Sequence, residues 1–232
     1  MTLDRSTEVG KFDRYAQSYS QAHASSVRAS GEGPAFFAQH KLDCLWRQGA
    51  TPAQAVLDYG CGTGSLTQLL AGRFAVVAGY DPSALSLQQA RVAAPSATFY
   101  EHDSAVPERA FDLAILSGVL HHVPPAERAQ VLHGVAGKLR PGGRVFVFEH
   151  NPYNPLTVQA VRACPFDDDA VLLPPAEVRA LLRGAGLEAV QQQFVLFFPR
   201  VLQRLRPLEP WLRWCPLGAQ TLTLGSRLGA RG

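Results

Sequence analysis

The chain has 232 residues, of which 47% are hydrophobic, so it can bury the core of one large domain and is not disordered. Its formal net charge of +3, from 22 basic and 19 acidic residues, is too small to indicate a nucleic-acid-binding protein. No apolar run approaches the roughly 20 residues that a bilayer-crossing helix needs.

The cysteines and the N-terminal sequence bear on the compartment. The four cysteines, at positions 44, 61, 164 and 215, show neither C-x-x-C pairing nor the spacing of a zinc site. The first residues, MTLDRSTEVGKFDRY, lack the apolar segment of a signal peptide. We therefore expect reduced thiols in a cytoplasmic protein.

Residues 1–50 are predicted to form a helical cap or lid, and residues 51–232 the core. Between residues 55 and 150, short apolar runs alternate with amphipathic segments, which is typical of βαβ units with a parallel sheet covered on both faces. Strands are predicted over 55–60, 74–81, 97–103, 111–117 and 144–150. Helices are predicted over 11–23, 33–48, 65–74, 82–94 and 124–139, the last one ended by a Pro-Gly-Gly turn at 141–143.

The pattern loosens after residue 150. In FVFEHNPYNPLT, residues 146–157, two Asn-Pro pairs follow the fifth strand. Because a residue before proline avoids the helical conformation, the next segment is predicted to be extended. Residues 151–175 form a substrate-side segment in this prediction, followed by a helix over 175–186 and strands over 187–198 and 219–228.

Residues 199–216, which we call the basic-aromatic segment, are predicted to be an insertion before the last strand. From residue 197 to 232 there are six Arg and one acidic residue, Glu209. The favoured interpretation is a lid packed over an apolar substrate. The alternatives are ordinary core with solvated arginines and, less favoured, contact with an anionic membrane surface. Four prolines argue against one long amphipathic helix.

The stretch VLDYGCGTG, residues 56–64, places Gly60, Gly62 and Gly64 between the first strand of the core and its first helix. Glycines suit this place because the backbone turns sharply and a ligand approaches it without a Cβ in the way. A nicotinamide cofactor would require a third glycine at position 65, which is Ser65. The spacing therefore disfavours a dinucleotide.

Polar residues accompany the first four strands. Asp58 lies within the first strand, and Asp81, Asp103 and Ser117 end the second, third and fourth. Open α/β sheets bind ligands at the carboxyl ends of their strands. At this edge, the Asp81 carboxylate is placed to accept both hydroxyl protons of a ribose, and Asp103 to accept from an adenine amino group.

The motifs VLDYGCGTG, GYDPS, EHDSAVP, FDLAILSGVLHHV and LRPGGRVFVFEH follow one another over residues 56–150. In this order they resemble the class I S-adenosylmethionine (SAM) dependent methyltransferases that act on small molecules. The resemblance implies a Rossmann-like α/β fold, with a mostly parallel seven-stranded sheet whose last strand is antiparallel. It also implies SAM as the cofactor.

The same resemblance implies roles for individual residues. The three glycines would line the methionine part of SAM, Asp81 would bind the ribose, and Asp103 with Ser104 the adenine. Ser117 would lie near the sulfonium. The stretch FDRYAQSY resembles the lid of small-molecule members, in which a tyrosine closes over the cofactor. The implied cofactor-binding residues are Tyr15 or Tyr19, Asp58, Gly60, Gly62, Gly64, Asp81, Asp103, Ser104 and Ser117.

Three histidines are candidates for the base that removes a proton from the acceptor: His121 and His122 after the fourth strand, and His150 at the end of the fifth. Adjacent residues point in different directions, so His121 and His122 are not expected to serve together. The alternatives are a structural role for His122, a bystander role for His121 and strand capping by His150. Tyr153 and Asn154 are candidate substrate-binding residues.

No metal site is expected. The metal-assisted catechol methyltransferases carry an Asp after the fourth strand, where this chain has Ser117. The run Asp167-Asp168-Asp169 lacks the Gly and Glu of a calcium loop and is predicted to be a solvated loop or a helix cap.

The predicted function is metal-independent methyl transfer from SAM to a small molecule. An oxygen acceptor is favoured over nitrogen or carbon, and a natural-product or lipid/quinone-type metabolite is the expected substrate, with no nucleic-acid partner. Because the methyl group is already activated, alignment supplies most of the catalysis, about 7–11 kcal/mol at best. The alternatives are a SAM-binding regulatory or partner protein without activity and a nicotinamide oxidoreductase.

Overall fold

A computed structural model describes residues 30–164 and 167–229. The predicted helix over 11–23 and the predicted lid tyrosines, Tyr15 and Tyr19, lie outside the described residues. The described part contains one seven-stranded sheet with helices packed on both of its faces.

The strands are β1 (Ala55–Tyr59), β2 (Val76–Tyr80), β3 (Thr98–Tyr100), β4 (Phe111–Ser117), β5 (Leu139–His150), β6 (Leu187–Val195) and β7 (Gln220–Arg227). Their order in the sheet is β3-β2-β1-β4-β5-β7-β6. Strands β1 to β5 pair in parallel, whereas β7 lies antiparallel between β5 and β6. This confirms the predicted mostly parallel sheet with an antiparallel last strand.

The α-helices of the described part are α1 (Pro34–Arg47), α2 (Ser65–Ala71), α3 (Ala84–Ala93), α4 (Arg128–Lys138), α5 (Pro155–Arg162) and α6 (Pro175–Gly184). A short 3₁₀ helix covers Asp103–Ala105, and a 3₁₀ segment with a kink at Leu202 covers Arg200–Trp211. Apart from β5 and α5, the predicted elements agree with these bounds to within a few residues.

The pleat of the central strands separates two apolar clusters. In β5, Val145 and Val147 belong to the cluster with α4 and α6, whereas Phe146 and Phe148 belong to the cluster with α1 and α2. Successive side chains of a strand point to opposite faces. Because both faces are covered, these strands read as continuous apolar runs in the sequence.

The Pro-Gly-Gly motif (141–143) lies inside a strand rather than forming the predicted turn. Helix α4 ends at Lys138, and β5 begins at the next residue. Residues 140–143 form a bulge, because they face Asp112 alone while the pairing on either side is regular. The sheet therefore continues through the motif.

Helix α5 stands where the sequence predicts an extended segment, and that prediction is wrong. Asn154 is itself extended, with ψ 112°, as expected before a proline. Its side-chain oxygen accepts hydrogen bonds from the N–H groups of Leu156 (3.0 Å) and Thr157 (3.1 Å). Pro155 then occupies the first helical turn, where a missing N–H costs nothing. The motif that excludes helix at Asn154 thus favours a helix start immediately after it.

Arg128, in α4, connects loops at the carboxyl edge of the sheet and is only 1% exposed. Its Nε donates to the carbonyl oxygens of Leu120 (3.1 Å) and Val123 (3.0 Å). Its guanidinium also pairs with Glu177 (2.8 Å) and donates to the carbonyl of Val171 (2.9 Å). Arg128 therefore fixes the β4–α4 connection against the segment that precedes α6.

Replacing Arg128 with Leu is expected to lower the free energy of unfolding by about 3–5 kcal/mol, because buried carbonyls lose their donor and an acid loses its partner. Urea denaturation followed by circular dichroism measures the change. Arg140→Leu is the control: its pair with Asp112 (3.0 Å) is half exposed and should contribute no more than about 1 kcal/mol. Equal losses in the two variants would contradict the role of Arg128.

Candidate active site

The glycine loop between β1 and α2 leaves room for a ligand against its backbone. Gly60, Gly62 and Gly64 have positive φ angles of 77°, 52° and 83°, which favour glycine. A Cβ on Gly60 would lie 2.6 Å from Val119, and one on Gly64 would lie 2.8 Å from the Cα of Ala90. A Cβ on Gly62 would meet nothing within 4 Å, so this part of the loop faces open space.

Asp81, directly after β2, holds the loop in place. Its Oδ2 accepts the N–H of Gly62 (2.8 Å), and its Oδ1 accepts the N–H of Ser83 (2.9 Å). Each carboxylate oxygen has two lone pairs. Holding the loop therefore does not prevent Asp81 from accepting the hydroxyl groups of a ribose.

A cavity of about 100 Å³ lies between the glycine loop and α1. Ligand pockets usually measure about 300–1,000 Å³, so this cavity matches only part of a SAM-sized ligand. Asp103 and Ser104 do not line it. The lining residues that bear on binding are Phe37, Lys41, Asp58, Gly60, Gly62 and Ser117.

Lys41 and Asp58 are the buried charged groups of this cavity. Burial lowers the pKa of Lys41 to about 8, against the attraction of Asp58. Burial raises the pKa of Asp58 to about 6, against a hydrogen bond of 2.6 Å from Thr67 and the charge of Lys41. In the sequence, only one feature indicates that Lys41 is buried: it lies in the apolar stripe of α1, between Ala38 and Leu45.

Asp103 and Ser104, the predicted adenine contacts, lie in the 3₁₀ helix after β3. The Oδ2 of Asp103 is 3.3 Å from the Nζ of Lys138, a buried residue at the end of α4. The Oδ1 of Asp103 is buried and has no hydrogen-bond partner among the residues that the structure describes. Ser104 is exposed. Asp103 thus offers one acceptor atom, outside the cavity.

Glu149, near the end of β5, is 1% exposed and organises the loop after β4. Its Oε1 accepts the N–H groups of Val119 (3.1 Å) and Leu120 (2.7 Å). Its Oε2 lies 2.6 Å from the Nδ1 of His121, which donates to it. The sequence places Glu149 with His150 at the end of the fifth strand, where the substrate is expected, but does not predict these contacts.

The structure brings all three candidate histidines together. The ring centroid of His121 lies 4.2 Å from that of His122 and 5.0 Å from that of His150. The Oδ1 of Asp167 is 3.6 Å from the Nε2 of His121 and 3.4 Å from the Nε2 of His122. The expectation that His121 and His122 point apart is therefore wrong. Of the acidic run, Asp168 and Asp169 are exposed, as in the predicted solvated loop, whereas the side chain of Asp167 is only 12% exposed.

The three histidines differ in charge. Burial disfavours the imidazolium of His121, but Glu149 and Asp167 outweigh burial and raise its pKa to about 9. Burial and the positive charge of His121 lower the pKa of His122 and that of His150 to about 4. At neutral pH, His121 is therefore protonated on both ring nitrogens, and the other two rings are neutral.

The His121, His122 and Asp167 side chains each place one ligand-type atom within 4.8 Å of the others, close enough to surround a metal ion. The hydrogen bond to Glu149 and the ion pairs with Asp167 also account for their arrangement without an ion. The absence of a metal therefore stays a prediction from the sequence.

The histidine cluster adjoins the cavity through the end of β4. Ser117 lines the cavity. The next residue, Gly118, has φ 69°, and a Cβ on it would lie 3.3 Å from the Cε1 of His121. Gly118 thus lies between the cavity residue Ser117 and the ring of His121.

Tyr153 and Asn154 lie at the exit of β5. Tyr153 is 54% exposed. Asn154 caps α5, and its Nδ2 donates to a carbonyl in the stretch 216–218. Asn151, which the sequence does not single out, is fully buried and donates to two carbonyls of the same stretch. Both asparagines therefore have architectural roles, and substrate binding by Tyr153 and Asn154 stays a prediction.

A family model described as a methyltransferase domain matches residues 32–192. The match spans more than half of the chain and includes the glycine loop, Asp81 and the histidine cluster.

Curated relatives are similar over differing lengths. The ubiquinone biosynthesis O-methyltransferase of Aeromonas salmonicida is 30% identical over 200 residues, which cover 78% of this chain and 81% of that protein. The trans-aconitate 2-methyltransferase of Mycobacterium ulcerans is 31% identical over 201 residues, which cover 77% of this chain and 72% of that protein. An uncharacterised methyltransferase of Synechocystis is 37% identical over 108 residues, which cover 45% of this chain and only 51% of that protein.

Solved structures share the fold. A SAM-dependent methyltransferase of Thermotoga maritima, described as a possible histamine N-methyltransferase, aligns over 94% of this chain and 98% of its own, with a TM-score of 0.68 and 17% identity. The magnesium protoporphyrin IX methyltransferase of Synechocystis with bound SAM aligns over 88% of this chain and 82% of its own, with a TM-score of 0.58 and 18% identity.

The neutral buried histidines lead us to expect a loss of stability in acid. The pKa values of His40, His122 and His150 are lowered to about 4 in the folded chain, against about 6.5 when unfolded. The unfolded chain therefore binds more protons between pH 6.5 and 4, and the free energy of unfolding falls as pH falls through this window. His121 acts in the opposite sense: its contribution is full below pH 6.5 and is lost as pH rises through about 9.

Urea unfolding at a series of pH values measures this dependence. His40→Gln should reduce the loss between pH 6.5 and 4 by on the order of 1–3 kcal/mol, because one proton fewer distinguishes the two states. His102→Gln, at an exposed position, is the control and should keep the wild-type slope. A wild-type slope in His40→Gln would contradict the burial of neutral histidine as the cause of the acid sensitivity.

Proposed function

The chain belongs to the class I SAM-dependent methyltransferases, and from this membership we propose that it methylates an oxygen of a small acceptor of lipid or quinone type. The Aeromonas relative, an O-methyltransferase of ubiquinone biosynthesis, supports the choice of oxygen and of an apolar acceptor. None of the four cysteines, all of which lie in the described ranges, forms a disulfide, which supports a cytoplasmic location for the activity.

One observation carries the proposal: a neutral histidine lies beside a protonated one, next to the cavity of the glycine loop. His150 and His121 have ring centroids 5.0 Å apart, and His121 packs against Gly118, the neighbour of the cavity residue Ser117. A proton acceptor and a fixed positive charge are thus available where donor and acceptor would meet.

On the donor side, the residues present fit SAM, the cofactor of this family. When bound, SAM supplies a methyl group activated on a sulfonium, whose positive charge is lost as the methyl leaves. Gly62 offers its open backbone to the methionine part. Lys41 and Asp58 carry charges opposite to those of the methionine carboxylate and amino groups. Asp81 would accept the ribose hydroxyls, and Asp103 the amino group of the adenine.

On the acceptor side, a hydroxyl must lose its proton as its oxygen bonds to the methyl carbon and the carbon–sulfur bond breaks. The neutral ring of His150 can take this proton, and His122 is the second candidate. His121 cannot, because it already carries a proton on each nitrogen and is bound to Glu149. We assign His121 a positioning role, in which its fixed charge adds to burial in keeping His150 neutral.

Replacing Asp81 with Ala is expected to weaken SAM binding about 10- to 150-fold, because ligand hydrogen bonds to a charged group are worth about 1.5–3 kcal/mol and Gly62 loses its partner. Isothermal titration calorimetry measures the affinity. Glu188→Ala, an exposed acid on β6, should bind SAM like the wild type. Undiminished affinity in Asp81→Ala would overturn the cofactor assignment of this residue.

Replacing His150 with Ala is expected to lower kcat by about 10²- to 10⁴-fold, the usual contribution of a positioned base. SAM affinity should change by less than about twofold, since His150 does not line the donor cavity. Transfer from methyl-labelled SAM to an extract of the source organism, followed by the mass of the labelled product, measures turnover and identifies the acceptor. His102→Ala serves as the control, and wild-type turnover in His150→Ala would remove His150 from the mechanism.

A further inference from the structure

The basic-aromatic segment (199–216) presents a dense patch of apolar side chains to solvent. Its 3₁₀ helix, Arg200–Trp211, buries none of its residues. Trp211 and Trp214 are 75% and 77% exposed. Folded chains rarely leave such a patch uncovered unless it binds something. The exposed apolar residues of the segment are Val201, Leu202, Leu205, Leu208, Trp211 and Trp214.

Two charged residues of this segment, Arg206 and Glu209, are in contrast turned toward the protein. The guanidinium of Arg206 pairs with Glu32 (2.7 Å) and lies 4.3 Å from the ring centroid of Phe36. The Oε1 of Glu209 accepts the backbone N–H groups of residues 197 and 198 (3.0 and 3.1 Å). Arg206 and Glu209 therefore hold the segment, which displays its apolar side chains. Because the 3₁₀ helix buries none of its residues, the segment is not ordinary core.

The charges left at the surface of the segment are positive. Arg200 and Arg204 are exposed, and Arg213 is partly buried. Glu209, the one acidic residue from 199 to 216, is occupied by its contacts with the backbone. Tryptophan rings and leucines interspersed with arginines suit the boundary between the headgroups and the acyl chains of a bilayer. Anionic lipids complement the charge.

The patch is connected to both halves of the active site. Arg206 contacts Glu32 and Phe36 at the beginning of α1, the helix whose side chains line the donor cavity. The stretch 216–218 receives the side-chain hydrogen bonds of Asn151 and Asn154, at the exit of β5. Three side chains in or next to these contacts are also exposed, namely Tyr153, Leu156 and Leu217.

We propose that this patch docks the protein on the surface of a phospholipid bilayer that contains anionic lipids, so that an acceptor of lipid character is met at the bilayer. The contact is peripheral and shallow. No helix within 30–164 or 167–229 is both long and apolar enough to span a membrane. Docking on the bilayer does not depend on the proposed function, whereas the encounter with an acceptor at the bilayer rests on it.

A second copy of the chain fits the patch less well. A two-fold dimer would place the same surface against itself. The exposed Arg200 and Arg204 of both copies would then meet with no acidic residue of the segment available to offset them, and like charges at an interface oppose association.

Sedimentation of the full chain with sucrose-loaded vesicles tests the proposal without SAM or acceptor. We expect at least tenfold stronger binding to phosphatidylcholine vesicles that contain phosphatidylglycerol than to phosphatidylcholine alone. Replacing both Arg200 and Arg204 with Gln should weaken binding to the vesicles with phosphatidylglycerol roughly 10- to 30-fold, because each Arg near an anionic surface contributes about 1 kcal/mol. Replacing both Trp211 and Trp214 with Ala should weaken binding to either kind of vesicle about tenfold or more.

Val92→Ala, at an 83% exposed position of α3 outside the patch, is the matched control and should bind vesicles like the wild type. All variants should keep the wild-type affinity for SAM, which separates docking from the methyltransferase assignment. Equal vesicle binding by the wild type and the Trp variant would overturn the proposal. So would light scattering that shows a dimer which the Trp variant abolishes, since a second copy would then occupy the patch.

Discussion

The carboxylate of Glu149 is the interaction on which the acceptor side of the site depends. Burying an ionised carboxylate is costly unless hydrogen bonds replace water. In this protein the donors all come from the loop after β4, including the ring of His121. The same contact helps keep His121 protonated, and that charge adds to burial, the larger cause, in lowering the pKa of His122 and of His150. One buried acid therefore fixes the shape of the loop and helps fix the charge of His121.

The donor side is organised by a second acid in an equivalent way. Asp81 ends β2 and accepts the N–H of Gly62, as Glu149 ends β5 and accepts from the loop after β4. In each case a carboxylate at the carboxyl edge of the sheet fixes a neighbouring loop. The two halves meet at the end of β4, where Ser117 lines the cavity and Gly118 packs against His121. A parallel sheet brings such residues together because its strand ends share one edge.

The sequence predicts well what local patterns determine. The strands, the glycine loop and the place of Asp81 follow from apolar runs, turn residues and spacing. It does not reveal Lys41 or Asp167 as site residues, nor the contacts of Glu149, because their roles depend on partners that only the fold brings near. The acid-rich run around Asp167 looks solvated in sequence, yet its first residue is drawn inward by two histidines. At Asn154 the prediction fails for a local reason. The restriction before proline applies to Asn154 alone, but the sequence prediction extended it to the residues that follow, which form helix α5.

Agreement between local sequence and global fold is the norm, and departures from it concentrate where function requires them. The basic-aromatic segment is such a departure, because its ion pair and its acidic side chain are directed inward while its tryptophans are directed outward. Four prolines prevent it from forming a regular helix that could bury an apolar stripe. Its anchors, Glu32 just before α1 and Asn151 at the exit of β5, are polar and specific. These polar contacts hold the segment so that its tryptophans and leucines face solvent, and the polarity and charge of that surface fit the lipid interface that we propose for it.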